Sequence, residues 1–193
     1  MNTESKIIIA EVEKIVEAVC KADSNVFGYG IWTHHIKEVV RISKEIAEQL
    51  GADKEIVEIS ALLHDYAGIK DYSLHKEHHK HGAMEAGKIL TRLNCTADKI
   101  NLIKYCIANH RGSVSGDRNT PEVKCLASAD AIAHIENVPS LFYLAFEKFH
   151  MEIDEGREWI SNKLKRSWKK ISPEVAHLIE EKYKAALTLL EDK

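Results

Sequence analysis

The stretch Ala61-Leu62-Leu63-His64-Asp65-Tyr66 ends an apolar run with a histidine and an aspartate side by side. Helical spacing puts Ile56, Ile59, Leu62 and Leu63 of that run on a buried stripe, and His64 in line with the small residues Val57, Ser60 and Ala61. Two ionisable groups are out of place there unless something pairs with them. An isolated carboxylate in apolar surroundings has its pKa raised by up to ~3–5 pH units. At ~1.4 kcal/mol per unit, that is large against the ~5–15 kcal/mol that holds a domain together. A bound divalent cation would relieve the strain, and it would need further ligands from elsewhere in the chain.

The rest of the sequence reads as helical. It has 9 Gly, 3 Pro and little alternating pattern over 193 residues. A first helix is expected over 4–20, a loop over 21–30, and a second helix from about 31–33 to Gly51, a good residue just past a helix end. Asp53 is placed to cap a third helix running to Asp65. A turn is expected over 68–73, a fourth helix over 77–93, and a fifth, capped by Thr96, ending at His110-Arg111-Gly112. The polar stretch 112–119, with Gly116, Asp117 and Arg118, reads as a loop at the pocket mouth. Thr120-Pro121-Glu122 starts a sixth helix running to about 137, Pro139 a short one, and Ser172-Pro173-Glu174 the last. Between the last two, the charged stretch 147–170 carries Trp159 and Trp168 and reads as a helix lying over the core. Nothing resembles a repeat or a linker, so 1–193 reads as a single domain with its core over about 30–150.

The same periodicity identifies which polar residues face inward. His35 lines up with Val39, Ile42 and Ile46, whereas His34 lines up with Glu38, Arg41 and Glu45 and faces solvent. His110 continues the stripe Ile100, Ile103 and Ile107. Asp130 continues the stripe Val123, Leu126 and Ala127. Taken singly, each could be a hydrogen-bonded core residue. Together, His35, His64, Asp65, His110 and Asp130 are explained by one shared metal site, where the alternative requires five separate partners.

Composition excludes several function classes. Net charge is -3, which exerts no bulk pull on nucleic acid or acidic membranes. No apolar run approaches the ~20 residues needed to span a bilayer. The start shows no signal-peptide pattern, and the scattered Cys20, Cys95, Cys106 and Cys125 suggest neither a disulfide framework nor a zinc ribbon. A cytoplasmic location is the expectation. The 11 histidines concentrate between His34 and His134, with only His150 and His177 beyond.

His35-Ile36-Lys37-Glu38-Val39, then Ala61-Leu62-Leu63-His64-Asp65, then Ala129-Asp130-Ala131 resemble the HD-domain metal-dependent phosphohydrolase superfamily over roughly 30–150. His78-His79-Lys80-His81-Gly82-Ala83 is similar to the segment that supplies an extra histidine in its two-metal members, and Ile107-Ala108-Asn109-His110-Arg111 to the next one. The resemblance implies a compact all-α bundle with His35, His64, Asp65 and Asp130 around one metal. Asp65 would bridge to a second metal held by His78 and His110. Family spacing selects His78, four before Gly82, while the stripe Gly82, Ala83, Ala86 and Leu90 lines up better with His79.

Such a donor set suits Mn, Fe, Zn, Ni or Co, and Mg less well. The activity implied is hydrolysis of a phosphoester or phosphoanhydride in a small phosphorylated molecule, a nucleotide by expectation, by a metal-activated hydroxide. His64 and Asp65 would be catalytic, Asp65 by bridging the metals and orienting the hydroxide. Arg111 or Lys70 would hold a substrate phosphate, and Tyr66, Tyr72 or Tyr105 could stack a base. The HD-GYP signature is missing after the His64–Asp65 pair, which argues against cyclic di-GMP. The same ligands would also serve a diiron oxygenase, or a non-catalytic nucleotide-binding module.

Overall fold

The computed structural model describes residues 3–111 and 119–191. Among these residues all regular structure is helical, as expected. In chain order it comprises α1 (Thr3–Lys21), a π-helical turn (Trp32–Ile36) leading into α2 (Lys37–Leu50), α3 (Lys54–Leu63), α4 (Tyr66–Lys70), a 3-10 turn (Tyr72–Glu77), α5 (His78–Arg92) and α6 (Ala97–Asn109). These are followed by α7 (Pro121–Glu136), α8 (Val138–Phe142), a second π-helical turn (Tyr143–Lys148), α9 (Ile153–Trp168), α10 (Pro173–Ala176) and α11 (Glu180–Leu190). The stretch read as a loop at the pocket mouth lies, apart from Asn119, outside the described residues.

Helix α3 is the hub. Asp53 starts it by accepting hydrogen bonds from the Glu55 and Ile56 amides at 2.8 and 3.2 Å. Every residue from Ile56 to Leu63 is then buried, because α1, α2, α6 and α7 all pack on it. Glu58 is the one charge inside that run, and Lys44 meets it at 2.8 Å. Helix α7 starts where Thr120 accepts from the Val123 amide at 3.3 Å, with Pro121 in its first turn. Its small residues Ala127, Ser128, Ala129, Ala131 and Ala133 are all buried, which lets α2, α3, α6 and α9 approach it from several sides. Burying such apolar surface contributes roughly 25 cal/mol per Å². The buried apolar residues form one cluster running from Ile8 to Leu190.

Three local expectations are corrected. Helix α3 stops at Leu63, so His64 and Asp65 occupy a turn rather than its last residues, with Asp65 at φ -105° and ψ 0°. The stretch read as a turn at 68–73 begins instead in α4. Gly68 serves close packing there, since a Cβ would lie 3.2 Å from His78 Cβ and 3.4 Å from His75 Nδ1. The final helix is two, α10 and α11, with Val175 and Ile179 both buried around the break.

Gly82 closes the bundle around the His64–Asp65 turn. A Cβ at Gly82 would lie 3.2 Å from Ile107 Cγ2 of α6 and 3.3 Å from the His64 carbonyl oxygen. Its lack of a side chain brings α5, α6 and the turn together.

Candidate metal centre

Five segments deliver donor atoms to one place: the π-helical turn before α2 (His35), the turn after α3 (His64 and Asp65), the start of α5 (His78), the end of α6 (His110) and the middle of α7 (Asp130). Asp65 lies at the centre. Its Oδ2 is 3.3 Å from Nε2 of both His35 and His64, and its Oδ1 is 3.3 Å from Nε2 of His78. His35 Nε2 is also 3.5 Å from Asp130 Oδ1, and His78 Nε2 is 3.4 Å from His110 Nε2. The donors form overlapping groups, among them His35, His64 and Asp65, and Asp65, His78 and His110, each tight enough to hold an ion. Asp65 is common to those two, with one oxygen toward each.

Hydrogen bonding shows what this cluster requires. His64, His78 and His110 each direct Nδ1 at the carbonyl three residues earlier, at 2.8, 2.8 and 2.7 Å (Ala61, His75 and Ile107). A carbonyl only accepts, so Nδ1 carries the proton and, in a neutral ring, Nε2 is a bare lone pair. Yet His64 Nε2 faces His35 Nε2 at 3.3 Å, and His78 Nε2 faces His110 Nε2, with carboxylate oxygens beside them. With neutral rings, His78 and His110 thus turn two lone pairs on each other beside Asp65 Oδ1 with no donor between them, which calls for a cation. Metal-binding histidines are held in the same way, with the second ring nitrogen donating to a carbonyl. The residues therefore fit a divalent metal ion.

The electrostatics make the same demand. Burial opposes protonation of His64, but the Asp65 and Asp130 charges hold its pKa up at about 9. Burial alone would raise Asp65, as the isolated-carboxylate argument anticipates, but His64, His35 and His78 bring it well below the usual carboxylate range. Asp130 is likewise low despite burial, through Lys170 and His134. His110 is held neutral by burial and by the neighbouring histidines. A positive charge is required among these groups, and without a metal a proton supplies it.

The other named residues distribute as follows. His34 is exposed, as its stripe suggested. Of the two histidines left open on α5, His78 turns Nε2 to Asp65. His79 is buried away from the ligand groups, with Nδ1 lacking a hydrogen-bond partner among the described residues. Arg111 lines the cavity over the centre and donates to the Lys76 carbonyl. Lys70 does not reach this cavity; it is exposed and pairs with Glu85 at 2.9 Å beside a separate shallow cleft. Tyr66, Tyr72 and Tyr105 do not line the cavity either. Tyr66 is buried, and Tyr72 stacks on His75 at 5.4 Å between ring centres. The aromatic wall comes from Phe27, Tyr143, Phe149 and Trp159.

Sequence reasoning missed His134, Lys163, Arg166 and Lys170. His134 Nε2 lies 3.2 Å from Asp130 Oδ1, and its ring stacks on His35 at 4.6 Å. Burial and the nearby Lys163 lower its pKa to about 3. The signal for it was present: His134 is one helical turn beyond Asp130 and shares its face. Lys170 pairs directly with Asp130 Oδ2. It follows α9, from a region whose sequence shows only charge, and no spacing rule connects it to the histidines. The cavity over the centre holds about 690 Å³.

The sequence profile of the HD domain family matches residues 32–135. Ribonuclease Y of Petrotoga mobilis is 30% identical over 107 residues, which is 55% of this chain but only 19% of that protein. The chain thus spans about a fifth of that curated relative. Three solved structures share the fold. YpgQ of Bacillus subtilis superposes with a TM-score of 0.73 at 22% identity, covering 98% of this chain and 94% of that one. Its complex with ADP gives 0.70 at 19%, covering 94% and 93%. The Lin1889 protein of Listeria innocua gives 0.71 at 20%, covering 98% and 94%. With the profile matching more than half of its residues, and with a His-Asp centre of the kind the sequence anticipated, the chain belongs to the HD domain family.

Proposed function

We propose that this protein is a metal-dependent phosphohydrolase that cleaves a phosphoester or phosphoanhydride bond in a small phosphorylated substrate, a nucleotide in particular. The observation that carries this reading is the donor arrangement: Asp65 presents one oxygen to His35 and His64 and the other to His78, beneath a cavity lined, among the described residues, by four cationic side chains. In this reading His35, His64, Asp65 and Asp130 hold one metal, and Asp65, His78 and His110 a second. Mn, Fe, Zn, Ni or Co would suit these nitrogens and carboxylates. Bound there, divalent ions supply Lewis-acid charge and lower the pKa of an attacking water.

The chain's own residues do the rest. Asp65 holds the two ligand groups in fixed relation, so a phosphoryl group meets both at once. His64 is kept in one orientation by the Ala61 carbonyl. Arg111, which lines the cavity and donates to the Lys76 carbonyl, would hold a phosphate oxygen. The apolar and aromatic walls exclude water from the non-reacting part of the substrate. Support for a nucleotide comes from the ADP complex of the similarly folded YpgQ. The cationic lining fits the phosphoryl groups of such a substrate.

The test is phosphate release from nucleotides, sugar phosphates and generic phosphodiesters by metal-stripped protein reloaded with Mn, Fe, Zn, Ni or Co. Metal-dependent release that Asp65→Ala abolishes supports the reading. Oxygen consumption by the iron-loaded protein without phosphate release would overturn it.

A further inference from the structure

We propose that Lys163 and Arg166 of α9 form a second anion subsite, which binds a phosphoryl group of the substrate other than the one attacked. This rests on the phosphohydrolase reading and narrows it to substrates with at least two phosphoryl groups.

Among the described residues, the cavity is lined by four cations (Arg111, Lys163, Arg166 and Lys170) against two carboxylates (Asp65 and Asp130), in a chain whose net charge is -3. The positive charge is therefore local. Of these cations, Lys170 is paired with Asp130 Oδ2, and Arg111, which donates to the Lys76 carbonyl, is the one assigned above to the attacked phosphoryl group. Lys163 and Arg166 form no ion pair or hydrogen bond among the described residues, although both line the cavity and Lys163 is half-buried. Burial lowers the Lys163 pKa, which reports the loss of hydration that an anionic ligand would replace.

Position strengthens the case. Trp159, Lys163 and Arg166 follow at i, i+4 and i+7 and lie on one face of α9, so an aromatic surface adjoins the two cations. Phe149 packs its ring edge against Trp159 at 5.7 Å. A ligand with one phosphate would be satisfied by the metal groups alone. The surplus cations on α9 have a use when a second phosphoryl group lies beside the first. They lie beyond residues 32–135, so this recognition comes from the C-terminal part of the chain rather than from the segment matched by the family.

The experiment is calorimetric titration of the manganese-loaded protein with ADP and with AMP. The proteins compared are the wild type, Lys163→Met, Arg166→Met and the charge-preserving Lys163→Arg. The wild type is expected to bind ADP about ten-fold or more tightly than AMP, since one charge-assisted contact is worth that much. Each methionine variant should lose most of that preference while keeping AMP affinity, metal content and melting temperature, and Lys163→Arg should restore it. Equal wild-type affinity for ADP and AMP, no ADP binding, or an unchanged preference in both methionine variants would overturn the subsite. Parallel loss of ADP and AMP binding would also overturn it. Failure of the hydrolase reading is distinguishable. A wild type that discriminates ADP through these residues but turns over no substrate retains the subsite and loses the hydrolase. One that hydrolyses ADP with the same KM in every variant does the reverse.

Discussion

Asp65→Ala tests the central geometry most directly. The substitution removes both oxygens that lie 3.3 Å from His35, His64 and His78. One group keeps His35 and His64 with Asp130 in reach, three donors in all. The other keeps only His78 and His110, too few for a site that needs three or four protein ligands. On the proposed two-metal reading, metal content should therefore fall from two ions per chain to one or fewer. An ion at a hundred times its dissociation constant stabilises the fold by about 2.7 kcal/mol. At about 2–4 °C per kcal/mol for a protein of this size, that is roughly 5–11 °C of Tm per ion. The wild type should gain about twice the Tm increment of the variant when stripped protein is reloaded with manganese. Turnover should fall at least about a hundred-fold, since loss of even an outer partner of a ligand costs 10–100-fold. The assays are elemental analysis, calorimetric melting with and without metal, and phosphate release. A variant that binds two ions and shows the wild-type increment would refute the bridging role.

Three other perturbations probe separate features. His35→Ala should lose metal while His34→Ala keeps its full content, because only His35 turns its Nε2 to Asp65; equal losses by elemental analysis would show that the π-helical turn is misread. Gly82→Ala places a Cβ 3.2 Å from Ile107 Cγ2 and 3.3 Å from the His64 carbonyl, so overpacking of about 1–3 kcal/mol should outweigh the ~0.5–1 kcal/mol gain in helix propensity. The expected drop in Tm is several degrees, and a raised Tm would show that α6 gives way freely. Burial pushes the thiols of Cys20, Cys106 and Cys125 from an ordinary value of 9.0 up to about 12. Unfolded thiols then ionise first, so stability is intact below pH 9 and falls as pH rises from 9 to 12, by about 1.4 kcal/mol per pH unit for each thiol. Denaturant titrations at pH 8 and 10 on the wild type and on Cys125→Ala measure this, and the same slope in both would contradict it.

Much of the fold was legible because helix punctuation is local. Asp53 makes the capping bonds expected of it, Thr120 opens α7 where a helix start was read, and Gly51 ends α2 with φ +68°, whereas Thr96, read as the cap of the fifth helix, precedes α6 without a side-chain capping bond. The inward direction of His35, His64, His110 and Asp130 could be read from stripes, because a buried helix face repeats every three to four residues. The choice between His78 and His79 could not be made that way. His78 opens α5, directly after a 3-10 turn, where the stripe of the helix body no longer predicts direction. The Gly68 position was misread for a related reason: glycine signals both turns and close approach, and only the position of His75 and His78 distinguishes them.

The sequence by itself determined the helical class and most of the inward-facing donors, since both follow from periodicity within single segments. Only the tertiary structure decided that Asp65 leaves the helix and presents its two oxygens to different histidines. It alone brought His134, Lys163, Arg166 and Lys170 to the same cavity and sent Lys70 to Glu85 instead. The physical reason is that a site is a meeting of chain segments. Local pattern sets which way a side chain faces, whereas what it faces is set by the packing of α7 and α9 across the whole core.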